Sequence, residues 1–245
     1  MALGTFEIAR RFCGPPTSGN GGYVGGRLST FVATDAAAPA VAVRLLAPPA
    51  LERALEVRDD DGGAALYDGE RKVATARAVP LELDPPGPPS FGRAEEARRA
   101  FRGFDEHVLP GCFVCGVERT EGDGLCIYPG PADDAGLFAA PWIPDASLGG
   151  VPGDALDAAF VWAALDCPGA FSFPQAEGLC LLGEMAARVF SEVRIGERCI
   201  VTSWLISRKG RKNVTGTALY GPDGDCRAYA RATWIEVDRE SVPRD

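Results

Sequence analysis

The sequence predicts an α+β protein made of two related halves, each with one apolar helix covered by an antiparallel β-sheet. The main observation is an internal repeat. Gly-Ala-Ala-Leu-Tyr-Asp-Gly at 63–69 and Ala-Thr-Ala-Arg-Ala at 74–78 return, about 153 residues later, as Gly-Thr-Ala-Leu-Tyr at 216–220, Asp-Gly at 223–224 and Ala-Tyr-Ala-Arg-Ala at 228–232. Each copy is typical of a β-hairpin with an Asp-Gly turn. A spacing this long indicates duplication of a whole domain rather than a solenoid repeat.

Composition limits the classes of function. The chain has 245 residues, 46% of them hydrophobic, which is enough for one large core or two smaller ones. Its net charge of −9 repels phosphate backbones and anionic lipids, so we expect neither nucleic-acid nor membrane partners. We find no long apolar run and no basic-then-apolar signal at the N-terminus, which predicts a cytoplasmic protein.

A Pro-rich stretch at 84–89 separates the two halves. It predicts an N-terminal half at 1–84, a Pro-rich and helical linker at 85–110, and a C-terminal half at 111–245. In the first half, a strand near 6–12 and an apolar helix following the glycines at 19–26 precede strand-like runs at 40–47, 54–58, 63–67 and 71–83.

The second half repeats this order. Strands near 125–128 and 136–140 precede a helix at 154–165 and long strands at 181–193, 197–207, 213–220 and 226–237. A helix that is apolar nearly all round must be buried, and an antiparallel sheet buries it by curling around it. Two such units resemble the double-hotdog proteins of the acyl-CoA thioesterase-like family, in which two long central helices are wrapped by paired, curved sheets.

The segment Asn20, Gly21, Gly22 and Tyr23 resembles the Gly-Gly-Tyr opening of the central helix in that family. The resemblance implies an oxyanion and substrate-binding site, because glycines let a thioester carbonyl approach the N–H groups of a helix N-terminus. The alternative is a glycine-rich turn that allows the helix to pack tightly.

Two aspartates are candidate catalytic groups. Single-hotdog thioesterases carry His-Gly-Gly and an acid seven residues further on, and Gly150 and Asp157 match the glycine and the acid, although Leu148 replaces the histidine. Asp157 can equally be a first-turn aspartate favoured by the helix dipole. Asp166, at the far end of the same apolar helix, opposes that dipole, which indicates either a functional site or a turn before Pro168.

The eight cysteines predict buried thiols rather than a disulfide framework. Cys112 and Cys115 form a Cys-x-x-Cys pair, but a structural zinc site needs four ligands and no second pair follows, so we expect no metal and no cofactor. The only histidine, His107, falls at the end of the linker. Its position argues against the histidine–carboxylate pair of hotdog dehydratases.

The one basic cluster consists of Arg208, Lys209, Arg211 and Lys212 around a glycine. It predicts a turn that binds the phosphates of coenzyme A, or else a solvated hairpin end.

These features favour a thioesterase-like hydrolase acting on an acyl-CoA or carrier-protein-bound acyl group, with coenzyme A entering only as part of the substrate. The alternatives are a non-catalytic protein that binds an acyl, lipid or polyketide intermediate, and another small-molecule enzyme using the same cleft. The duplicated chain is expected to be an internal pseudo-dimer, either alone or as a homodimer.

Overall fold

The computed structural model describes residues 1–174 and 179–238. Its strands are β1 Ala2–Glu7, β2 Ala40–Leu45, β3 Ala54–Asp60, β4 Gly63–Asp68, β5 Arg71–Val79, β6 Gly130–Pro131, β7 Phe138–Trp142, β8 Leu179–Val189, β9 Cys199–Lys209, β10 Lys212–Tyr220 and β11 Cys226–Val237. Its α-helices are α1 Gly21–Ser29, α2 Phe91–Arg98 and α3 Ala158–Phe171, and short 3-10 helices occupy Arg10–Phe12, Arg102–Phe104 and Ala146–Leu148.

The described strands form one antiparallel sheet in the order β1-β3-β4-β5-β2-β8-β11-β10-β9-β7-β6. The halves join where β2 pairs with β8, from Val41 opposite Ala187 to Arg44 opposite Glu184. The first-half order 1-3-4-5-2 is matched in the second half by 7-9-10-11-8, with a helix after the first strand in each case. The sheet therefore has the internal twofold relationship that the repeat predicts.

The repeated segments form equivalent hairpins, β4–β5 and β10–β11. The pairing shifts after Leu66 in the first hairpin and after Leu219 in the second, at matching positions of the repeat. Gly69 and Gly224 adopt positive φ angles of 59° and 83° in the turns, a conformation that favours glycine. The duplication has thus preserved backbone irregularities as well as residue types.

The two central helices pack against each other and against the sheet. α1 contacts β2, β4, β5 and β8, and α3 contacts all of β7 to β11. Every residue of α3 after Ala158 is buried, as a helix that is apolar all round requires. Residues of both halves belong to one hydrophobic core.

The helices differ in length, so the prediction of two long central helices is met by α3, with fourteen residues, and not by α1, with nine. The hydroxyls of Ser29 and Thr30 donate to the carbonyls of Gly26 and Arg27, three residues back, at the end of α1. Such local hydrogen bonds compete with continuation of a helix.

Three predicted elements are placed differently. The strand near 6–12 is β1 followed by a 3-10 turn, and the helix predicted at 154–165 is α3, which starts later and continues through Pro168. The segment at 125–128 is not a sheet strand, because the N–H groups of Leu125 and Ile127 donate to carbonyls at Phe113 and Val114 instead.

The linker lies along the second half. Ser90 caps α2, which packs against β7. The hydroxyl of Tyr220 donates to the carbonyl of Pro86 in the linker at 2.6 Å, and that of Tyr229 donates to the carbonyl of Leu81, shortly before the linker, at 2.9 Å. The domain boundaries at 84 and 110 remain predictions. In the described part of the chain, no helix has the length and apolarity needed to cross a bilayer.

Candidate functional site

Asp166 is the buried acid at the centre of the site. It is the ninth residue of α3 and its relative exposure is 2%. Its Oδ2 atom accepts hydrogen bonds from the backbone N–H of Gly22 and from Nδ2 of Asn20, both at 2.9 Å. An acid from the second half is therefore held by the helix N-terminus of the first half.

Asn20 links this carboxylate to α1 through both ends of its amide group. Its Oδ1 accepts from the N–H of Tyr23 at 2.9 Å, which makes it the N-cap of α1. Its Nδ2 atom donates to Asp166. A single buried side chain thus begins the helix and orients the acid.

Glycines allow the two helices to approach closely enough for these contacts. A Cβ atom on Gly22 would lie 2.5 Å from Cβ of Asp166, and one on Gly26 would lie 2.5 Å from Cα of Ala159. Since Gly22 lies beside Asp166 in the middle of α3 and Gly26 beside Ala159 at its start, the helices run antiparallel. The glycines of α1 therefore do what the alternative interpretation predicted: they allow tight packing, and the element they pack against is α3.

Burial and hydrogen bonding act on Asp166 in opposite directions. Burial disfavours the charged carboxylate, whereas the bonds from Gly22 and Asn20 favour it, and burial is the larger effect. The pKa of Asp166 is raised to about 7. Its Oδ1 atom is buried and has no hydrogen-bond partner in the described part of the chain. Such a group can exchange a proton near neutral pH.

A cavity of about 300 Å³ adjoins this acid at the junction of the two halves. Apolar residues from the ends of β2, β8 and β11 form most of its wall, including Leu45, Leu182 and Trp234. Its polar lining includes Asn20, Asp166, Cys112 and Cys167. An apolar cavity with a few converging polar groups is typical of a small-molecule site.

The predicted oxyanion donors are not equally free. The N–H groups of Gly22 and Tyr23 already donate to Asp166 and Asn20. The N–H of Gly21, the first residue of α1, has no acceptor within residues 1–174 and 179–238, and Gly21 is one of the residues that line the cavity. The ring of Tyr23 stacks on Phe12 with centroids 4.4 Å apart and is not part of the cavity wall.

Asp157 and Gly150 lie away from this cavity. Asp157 is exposed and caps α3, because its Oδ1 atom accepts from the N–H of Ala159 at 2.7 Å. It precedes Asp166 by nine helical residues, or about 13 Å along the axis. Gly150 lies in the turn before α3, where its N–H donates to the carbonyl of Ala146 at 3.3 Å. The cavity wall contains neither residue.

The basic cluster forms the β9–β10 turn, with Gly210 at a φ of 56°. Arg208 pairs with Glu236 at 2.8 Å, which leaves Lys209, Arg211 and Lys212 exposed without a described ion pair. In the strand register, Asn213 lies between Arg208 and Trp234, and Trp234 lines the cavity. The turn is therefore near the cavity rim.

Sequence reasoning missed a cluster of three thiols beside the acid. The Sγ atoms of Cys112, Cys115 and Cys167 all lie within 4.8 Å of one another, and the three residues are buried. The Cys-x-x-Cys spacing and the position of Cys167 next to Asp166 were both visible in the sequence, but no local pattern relates them. Another cavity, of about 380 Å³, is lined by all three cysteines and by His107.

The chain has the double-hotdog fold, and the site lies between its two central helices. A search of protein-family models gave no match, and no curated protein matched the sequence. Solved structures do match. The acyl-CoA thioesterase II TesB2 of Mycobacterium marinum aligns over 96% of this chain and 92% of its own, with a TM-score of 0.59 and 12% identity.

Two further structures agree with this fold. The TesB protein of Mycobacterium avium subspecies paratuberculosis covers 95% of this chain and 92% of its own, with a TM-score of 0.57 and 13% identity. A hot dog fold protein of Alicyclobacillus acidocaldarius covers 95% and 92%, with a TM-score of 0.50 and 9% identity. The prediction of a hotdog fold is confirmed, whereas only one of the two predicted central helices, α3, is long.

Proposed function

We propose that this protein is a thioesterase-like hydrolase that cleaves an acyl thioester of coenzyme A or of a carrier protein. The observation that carries the proposal is the Asp166 carboxylate: it is buried beside a helix N-terminus, its residue lines an apolar cavity, and its Oδ1 atom has no hydrogen-bond partner among the described residues. The fold shared with proteins described as acyl-CoA thioesterase II and TesB supports this reaction class.

Asp166 supplies the reactive group in this mechanism. In its ionised form, Oδ1 either removes a proton from a water molecule that attacks the thioester carbonyl or attacks that carbonyl itself. The carbon–sulfur bond then breaks, and water provides the oxygen of the acid and the proton of the thiol. The products are a carboxylic acid and a free thiol, so the reaction needs no redox cofactor.

Two features complete the proposed substrate site. The N–H of Gly21, which has no acceptor among the described residues, donates to the carbonyl oxygen as its negative charge develops. The apolar cavity wall holds the acyl chain or the pantetheine arm, and Lys209, Arg211 and Lys212 attract the phosphates at the rim.

The test is thiol release from a panel of acyl-CoAs. We expect turnover by the wild type and a loss of about 100-fold or more in kcat/KM for Asp166→Asn, which removes the base and keeps the shape of the side chain. Asp157→Asn is the matched control, since it changes an aspartate of the same helix outside the cavity. Equal activity of Asp166→Asn and the wild type would overturn the proposal.

A specific observation favours a second candidate, a non-catalytic acyl-binding protein. The Asp166 carboxylate already accepts the Gly22 N–H, the donor that an anionic intermediate would otherwise use. For this candidate we expect acyl-CoAs to raise the Tm of the protein without any release of thiol.

A further inference from the structure

We propose that Cys112, Cys115 and Cys167 form a binding site for one thiophilic d10 metal ion, Zn²⁺ or Cu⁺. The cluster is a group of three potential metal ligands brought together by two distant parts of the chain. Cys112 and Cys115 precede the first strands of the second half, whereas Cys167 follows Asp166 on α3. Cys167 adds a third sulfur ligand to the two that the Cys-x-x-Cys pair provides.

The spacing of the sulfur atoms suits such an ion. The Sγ atoms of Cys112 and Cys167 are 3.6 Å apart, and all three lie within 4.8 Å of one another. Thiolates bound tetrahedrally to zinc at about 2.3 Å lie about 3.8 Å from each other. Small side-chain movements therefore bring all three sulfur atoms to one ion.

The backbone holds the Cys-x-x-Cys turn in place before any ion binds. The N–H of Gly116 donates to the carbonyl of Cys112 at 2.9 Å, and a Cβ atom on Gly116 would collide with that carbonyl. The N–H of Phe113 donates to the carbonyl of Cys13, and Ile127 donates to Val114. A ligand set held in this way loses little conformational entropy on binding.

The thiols also interact chemically. Hydrogen bonds from Cys115 and Cys167 favour the thiolate of Cys112 and lower its pKa well below the ordinary value, despite burial. A metal ion binds cysteine as the thiolate, so its binding releases protons and strengthens as the pH rises.

Two cavities give access to the cluster, since both the 300 Å³ cavity and the 380 Å³ cavity are lined by Cys112 and Cys167. A water molecule from either one can take the fourth position that zinc requires. His107 is not counted as a ligand. Its Nδ1 atom accepts from the N–H of Leu109 at 3.0 Å, so in the neutral ring the proton is on Nε2.

The experiment titrates the full-length protein with Zn²⁺, and separately with Cu⁺, after reduction and removal of metal under anaerobic conditions. A chromophoric chelator competes for the ion and reports affinity and stoichiometry. Cd²⁺ and Co²⁺ then serve as spectroscopic probes for thiolate coordination. The variants are Cys167→Ala and Cys115→Ala, with Cys199→Ala as the matched control, because Cys199 is also fully buried but lies outside the cluster.

We expect one equivalent of Zn²⁺ or Cu⁺ per chain, a drop in affinity of about 100-fold or more in each cluster variant, and no change in Cys199→Ala. Comparison of the affinities for Zn²⁺ and Cu⁺ shows which of the two ions the site prefers. If Cys167→Ala does not fold, Cys115→Ala together with the thiolate-to-metal absorption of the Cd²⁺ form decides the question. The absence of binding by the wild type, or equal binding by the cluster variants and the control, overturns the proposal.

Discussion

The carboxylate of Asp166 accepts a hydrogen bond from the backbone N–H of Gly22 at 2.9 Å, across the interface between the two central helices. Because α1 and α3 run antiparallel, the acid in the middle of α3 lies at the start of α1. The positive end of the α1 dipole favours its negative charge, while burial opposes that charge more strongly. Four predictions concern this arrangement and the surface near it.

The first prediction is that Asp166 makes folding stability depend on pH. In the unfolded chain this carboxyl titrates near 3.8, and in the folded protein at about 7. Between these values the unfolded state binds fewer protons, so the contribution of Asp166 to the free energy of unfolding falls as the pH rises from about 4 to about 7. We therefore expect Asp166→Asn to gain stability relative to the wild type by a few kcal/mol across this range, at most about 4.

Urea unfolding at pH 5 and pH 8 measures this difference. Asp134→Asn, which removes an exposed carboxylate, controls for the change in net charge. If the free energy of unfolding changed with pH in the same way for Asp166→Asn and the wild type, Asp166 would have the same pKa in the folded and the unfolded protein, and the prediction would be wrong.

The second prediction concerns Asn20. Asn20→Asp keeps an N-cap for α1 but replaces the donor to Asp166 with a second carboxylate. Repulsion between the two acids raises the pKa of Asp166, so we expect the rising limb of the pH–rate profile to move upward by about one unit or more. Asn20→Ser, which removes the donor without adding charge, should move it less. Profiles that coincide in the two variants would contradict this explanation.

The third prediction is that Gly22 cannot be replaced by even the smallest side chain. The Cβ of Gly22→Ala would lie 2.5 Å from Cβ of Asp166 and 2.7 Å from the carbonyl of Trp162. We expect a loss of about 3 kcal/mol in the free energy of unfolding, because the helices must separate. Gly92→Ala in α2 meets no atom within 4 Å and should leave stability unchanged or raise it by about 1 kcal/mol. Thermal or urea unfolding measures the stability of both variants. A Gly22→Ala protein as stable as Gly92→Ala would show that α1 and α3 can move apart at little cost.

The fourth prediction tests the basic turn. Arg211→Ala combined with Lys212→Ala should weaken coenzyme A binding and reduce its dependence on salt, since two exposed cations near the cavity rim are lost. The control double variant, Arg71→Ala with Arg77→Ala, removes the same charge from exposed positions of β5. Calorimetric titration of coenzyme A at two salt concentrations provides the comparison. Equal weakening in both variants would indicate an effect of net charge alone.

The sequence was sufficient for most of the strands, because their signals are local. Alternating residues and Asp-Gly turns lie within a few positions of one another, and the repeat relates β4–β5 to β10–β11 directly. The short α1 was harder to predict, because Ser29 and Thr30 end it through hydrogen bonds to their own helix. Apolar composition does not reveal such local competition.

The site could be predicted only in part, because its contacts join distant positions. Asp166 was selected for its unfavourable position on its own helix, but the groups that stabilise its charge, Asn20 and Gly22, are about 145 residues away in the other half. The spacing of Gly150 and Asp157 was a local match, and Asp157 turned out to cap its own helix outside the cavity. The contact of Cys167 with the Cys-x-x-Cys turn was likewise not visible in any single segment.

The internal twofold relationship has a consequence for how the site can be altered. At the other end of the helix pair, the N–H of Ala159 is occupied by Asp157, and the ninth residue of α1 is Ser29 in place of an acid. A symmetric homodimer would carry every substitution in both of two equivalent sites. In this chain the helix N-terminus and the acid can be changed separately, and substitutions in either half act on one and the same site. A tight-binding ligand of that site would saturate the protein at one molecule per chain.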